Sequence, residues 1–73
     1  MHGLIIVKMG KNPKKFLEEA RKIKGVTDAY AVFGRFDVVV FIEGRDFPSL
    51  KDVAGKVNSL AGIKSTETLP EGD

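Results

Sequence analysis

Seventy-three residues without a cysteine make one small domain that neither a disulfide nor a thiolate metal site can reinforce. Twelve basic and ten acidic side chains leave a net charge of +2, too even a balance for a dedicated nucleic-acid surface. The longest apolar runs, LIIV at 4–7 and VVVFI at 38–42, fall short of the ~20 residues that span a bilayer, and the amino terminus lacks the basic-then-apolar pattern of a secretion signal. A domain of this size buries only about 60% of the surface its unfolded chain exposes, so association with other copies is an early expectation. The lack of cysteine fits a reducing cytoplasm. A charged fraction of 30% with few thermolabile residues fits a thermophilic source.

In chain order, LIIVKM (4–9) reads as a strand that Gly10 and Lys11 turn away. Asn12-Pro13 marks a helix start, asparagine as the cap and proline at the first helical position. Phe16, Leu17, Ala20 and Ile23 recur at helical spacing, and Gly25 ends the helix. VTDAYAVF (26–33) is the second strand, Gly34 the turn, and DVVVFIE (37–43) the third strand, broken by Gly44. Asp46 and Pro48 open a second helix whose apolar stripe is Phe47, Leu50, Val53, Ala54, Val57, Leu60 and Ala61. Gly55 lies inside that helix at a cost of ~1 kcal/mol against alanine, which predicts close packing at that point. Gly62 closes the helix, and IKSTETL (63–69) is the last strand before a tail at 70–73.

The order βαββαβ, with two glycine-closed helices in matching positions, predicts an α+β, ferredoxin-like sandwich with antiparallel sheet order 4-1-3-2. Strand composition supports that order. LIIV and VVVFI are unbroken apolar runs, suited to the central pair, whereas the second and fourth strands carry polar residues suited to edges. Both helices cover one face in this fold. The other face then exposes large aliphatic side chains, and a patch of that kind marks an interface. A second copy placed sheet to sheet by a two-fold axis is the economical cover, so a homodimer is expected.

Catalytic chemistry is hard to assemble from these residues. His2, the lone histidine, reads as an exposed terminal residue, and no His, Cys or carboxylate cluster has metal-ligand spacing. The basic loop MGKNPKK reads as a solvated cap rather than an anion cradle. RNA recognition on this topology needs stacking aromatics on the central strands; LIIV has none, and Phe41 is expected in the core. FGRFDVVV (33–40) admits two readings. In one, Gly34 supplies a turn conformation and Asp37 bonds hairpin amides. In the other, amides beside the glycine hold a carboxylate while Asp37 holds an ammonium, the two groups of a free amino acid. The run STET (65–68) adds hydroxyls, which also suit an ordinary polar edge strand.

GV-TDAYAVFGRFDVVVFIEGRDF, followed by a helix and GIKSTETL, resembles the amino-acid-binding effector (RAM) domain of the Lrp/AsnC regulators. The resemblance covers nearly the whole chain, and its most specific parts are the Gly-x-x-Asp turn and the hydroxyl-rich last strand. It implies a dimeric α/β barrel that pairs sheet to sheet and assembles to octamers, with amino acids bound between dimers. By position, Gly34, Arg35, Phe36 and Asp37 would form one wall of that site, and Ser65, Thr66 and Thr68 the other. Residues 1–73 would be a single stand-alone domain without a DNA reader, cytoplasmic and non-enzymatic, with no cofactor, metal, membrane or direct nucleic-acid partner. It would sense amino acids or join full-length Lrp/AsnC regulators in mixed assemblies. Relatives usually continue the last strand with aliphatic residues, whereas Pro70 is expected to interrupt it here. Two other readings stay open: a small dimeric α+β barrel enzyme of oxygenase or isomerase type, and a purely structural assembly subunit.

Overall fold

A computed structural model describes residues 1–10, 13–32 and 37–71. The elements run β1 (His2–Met9), α1 (Lys14–Arg21), β2 (Val26–Ala31), β3 (Asp37–Glu43), α2 (Phe47–Asn58) and β4 (Ile63–Glu71). The four strands form one antiparallel sheet in the order β2-β3-β1-β4, the ferredoxin-like arrangement that the apolar runs predict. The two apolar runs are indeed the central strands.

Alternation along the strands divides the sheet into two faces. Gly3, Ile5, Val7 and Met9 of β1 lie on the same face as Val38, Val40 and Ile42 of β3 and Ala29 of β2, and all are buried. Phe16 and Ala20 of α1, with Leu50, Val53, Ala54 and Val57 of α2, pack on this face and complete the core. α2 begins as predicted: Asp46 caps it, its Oδ1 accepting from the Ser49 amide at 2.9 Å, with Pro48 in the first turn. After α1 the chain turns at Gly25, where φ is +100° and a Cβ would run into Val53. Gly62 plays the same part after α2, with φ at +89°.

Several boundaries differ from the sequence reading. β1 begins at His2, because His2 pairs with both Glu43 and Glu71. α1 ends at Arg21, and Pro13 stands at its N-cap position without a side-chain cap bond. The Asn12 cap and residue 33 of the second strand lie outside the described residues. β4 is not interrupted by Pro70: the strand runs to Glu71, with Pro70 opposite Gly3. β4 is an edge strand, where alternate amides point away from the sheet and a missing N–H costs no ladder bond. Phe41 is not in the core. It lies on the helix-free face, 39% exposed, because its neighbours Val40 and Ile42 take the covered side.

Candidate functional site

The helix-free face carries Leu4 and Ile6 of β1 opposite Phe41 and Val39 of β3, with Tyr30 of β2 opposite Val39 and Leu69 of β4 opposite Leu4. Tyr30 is 51% exposed and Leu69 41%, while Leu4, Ile6 and Val39 are half-buried. This is the apolar surface that two unbroken strand runs require once helices cover only one side. The Tyr30 and Phe41 rings meet edge to face, 5.8 Å between centroids.

Polar residues sit at the two ends of this surface, and Glu67 of β4 stands opposite Ile6 along its edge. At one end Lys8 stands opposite Asp37 on β3 and opposite Ser65 on β4, so the register sets Asp37, Lys8 and Ser65 in one row. Cα atoms of such cross-strand partners lie about 4.5–5.5 Å apart. The row adjoins the β2–β3 connection, which the Val32 amide closes by donating to the Asp37 carbonyl at 2.8 Å. Gly34, Arg35 and Phe36 lie outside the described residues.

At the other end a cleft of about 420 Å³ is lined by His2, Asp28, Tyr30 and Phe41 among others. The Tyr30 hydroxyl donates to Asp28 Oδ2, and the Ala29 amide donates to Asp28 Oδ1 at 2.9 Å. These bonds, the tyrosine first, hold the Asp28 carboxyl below the ordinary carboxylate range. The same bond to Asp28 raises the Tyr30 hydroxyl above its usual value. Arg21 of α1 anchors the strand beside them, its Nη2 donating to the Ala29 carbonyl at 2.8 Å. A bulge in β2 at Thr27 re-aims this corner, and the Thr27 hydroxyl donates to the Phe41 carbonyl at 3.2 Å.

Thr66 and Thr68 do not join the Asp37 row. They stand opposite Val7 and Ile5, which point to the helix side, whereas Ser65 shares the helix-free face with Asp37. The hydroxyl-rich run is thus split by alternation, Ser65 to one face and both threonines to the other. Thr68 borders a groove of about 340 Å³ between β4 and α2, with Phe47, Leu50, Lys51, Ala54, Gly55 and Asn58 on the helix side. Phe47 is 48% exposed, and the Lys51 ammonium lies 5.7 Å from its ring centroid. Gly55 is not closely packed within the chain: a Cβ there would meet no atom within 4 Å.

Sequence reading missed Lys8 as the partner of Asp37, and it missed the groove. The first is a matter of register and had no local signal. The second had two signals, an aromatic residue in the first turn of α2 and a glycine within that helix. Among the described residues no group of three or more His, Cys, Asp or Glu side chains is placed to hold a metal, and no helix is long and apolar enough to cross a membrane.

A family model described as the Lrp/AsnC ligand binding domain matches residues 4–70. Among solved structures, the chain is similar to TTHA0845 from Thermus thermophilus, at 26% identity and a TM-score of 0.86, over 99% of this chain and 92% of that one. It is similar to AsnC of E. coli at 25% identity and a TM-score of 0.75, over 93% of this chain and 48% of that one, so it spans about half of that regulator. The fold is also that of the Neisseria meningitidis transcriptional regulator NMB0573, solved as an L-Met complex, at 20% identity and a TM-score of 0.73, over 92% of this chain and 46% of that one. Comparison with curated proteins returns no match.

Proposed function

The chain belongs to the Lrp/AsnC ligand-binding-domain family, and from that premise we propose that it is a non-enzymatic effector domain sensing a small amino acid at sites shared between subunits. The observation that carries this reading is the Asp37–Lys8–Ser65 row. A zwitterion needs a negative group for its ammonium and a positive or amide group for its carboxylate. Asp37 offers the first. Lys8, directly across the ladder, offers the second, and the proposed amide donors near Gly34 belong to the adjoining connection. Opposite charges directly across a ladder also stabilise the free protein, so the row has a resting state without ligand.

The split of the hydroxyls supports a site between subunits. A ligand held at Asp37 faces Ser65 of the same chain but not its Thr66 or Thr68, which lie on the other side of the sheet. In this reading those threonines reach an amino acid only at a neighbouring subunit's site. The helix-free face favours a sheet-to-sheet homodimer, since covering Leu4, Ile6, Val39 and Phe41 removes apolar area at about 25 cal/mol per Å². Further assembly to an octamer and mixing with full-length Lrp/AsnC regulators complete the proposal. Support for amino acids as the ligand class comes from the neisserial relative and its L-Met complex.

A thermal-shift screen of the twenty amino acids is the first test, because a ligand that binds only the folded state raises Tm. One or a few amino acids should stabilise the protein, and Asp37→Ala should abolish the calorimetric signal while leaving the circular dichroism spectrum unchanged. Unaltered affinity in that variant removes Asp37 from the site. No stabilisation by any of the twenty removes amino-acid sensing.

A further inference from the structure

We propose a second ligand site, in the groove between α2 and β4, for a simple carboxylate carrying an apolar chain of about four to eight atoms. The groove's volume of about 340 Å³ lies at the small end of the roughly 300–1,000 Å³ typical of ligand pockets. Its floor is apolar, from Leu50 and Ala54, and its wall is the half-exposed Phe47 ring. Three residues with polar ends border it: Lys51, Asn58 and Thr68. An apolar lining with a few convergent polar groups is the usual composition of a small-molecule site.

Gly55 is the second, independent observation. It sits inside α2, where glycine is the least favourable residue after proline. Neither φ nor packing within the chain calls for it, since a Cβ would stand in open space. What its missing side chain does is keep the groove open. A leucine there would project into the volume that Phe47, Ala54 and Thr68 border.

Charge decides the class of occupant. Lys51 is the one charged residue of the described lining, so the groove offers an opposite charge to a carboxylate and none to an ammonium. This separates it from the Asp37 row, which faces the other side of the sheet and presents both signs. A second copy of the chain is the poorer occupant. In an antiparallel pairing that seats Phe47 of each copy at Gly55 of the other, residue 51 lies midway between them, and the two Lys51 ammonium groups would meet at the two-fold axis.

The test is calorimetric titration of the whole chain with hexanoate, and with hexylamine and hexanol as probes of the charge requirement. Hexanoate should bind, and the amine and alcohol should bind at least tenfold more weakly. Lys51→Gln should weaken hexanoate about tenfold or more, the scale of a lost charge-assisted hydrogen bond. Gly55→Leu should abolish binding while holding or raising Tm, leucine being the better helix former. Asp37→Ala should leave hexanoate affinity unchanged, which keeps this site separate from the amino-acid site. The proposal is overturned if hexanoate gives no heat at millimolar concentration, if Gly55→Leu binds it normally, or if hexylamine binds equally well. It is also overturned if Gly55→Leu changes the sedimentation mass of the ligand-free protein, which would make the groove a contact between copies.

Discussion

The two faces of this sheet are built from the same apolar runs and meet opposite fates. Ile5, Val7, Val38 and Val40 are fully buried beneath α1 and α2, whereas their immediate neighbours Leu4, Ile6, Val39 and Phe41 remain half-buried or exposed. Adjacent residues of similar hydrophobicity therefore do different work. One set holds the monomer together, and the other is available to a partner. In the proposed dimer a small chain would gain in this way what a larger core otherwise supplies, because the second face stabilises only when it is covered.

Substitutions on the two faces should separate these roles. The largest effect is expected on the covered side. Ile5→Ala removes a fully buried side chain from the sheet centre and should cost about 2–5 kcal/mol, much of the total stability of so small a domain. Urea unfolding should show the loss as a lower midpoint with little change in slope. A loss below ~1 kcal/mol would mean the two faces are less distinct than their burial implies.

A smaller effect on the fold, but a large one on assembly, is expected from Phe41→Lys. The ring is exposed in the single chain, so the circular dichroism spectrum should hardly change. Sedimentation equilibrium should move toward the monomer mass, and Tm should lose its dependence on protein concentration. An unchanged mass would refute the helix-free face as the dimer surface.

The smallest effect belongs to the polar corner of that face. Asp28 has a depressed pKa because of Tyr30 and the Ala29 amide, so its contribution is present above the unfolded carboxylate value and lost as pH falls through the lower folded value. Tyr30 has a raised pKa, so its contribution is present below the unfolded tyrosine value and lost as pH rises through the folded one. Tyr30→Phe should return the Asp28 carboxyl toward its ordinary pKa in an NMR titration, with a slight change in stability because both groups are exposed to water. An Asp28 titration that does not move would show that the tyrosine bond is not the main cause of its shift.

Much of this was legible along the chain. Asp46 with Pro48 announced the start of α2, and Gly25 and Gly62 announced the turns after the helices, because capping and positive φ are satisfied within a few residues. The polar second and fourth strands announced the edges of the sheet. What escaped was relational. Phe41 read as core because an unbroken apolar run hides which alternate residues face the helices. Pro70 read as a strand end because proline's harm depends on which way its amide position points, a matter of edge and partner.

The amino-acid order by itself determined the succession of strands and helices, the central pair of the sheet and the existence of an oily second face, since each follows from local periodicity and composition. Only the tertiary structure decided the phase of each strand: that Lys8 stands between Asp37 and Ser65, that Thr66 and Thr68 turn to the opposite side, and that Gly55 opens onto a groove. The reason is that facing is set by cross-strand pairing between residues far apart in the chain. A shift of one position in that pairing exchanges the two faces without altering a single residue.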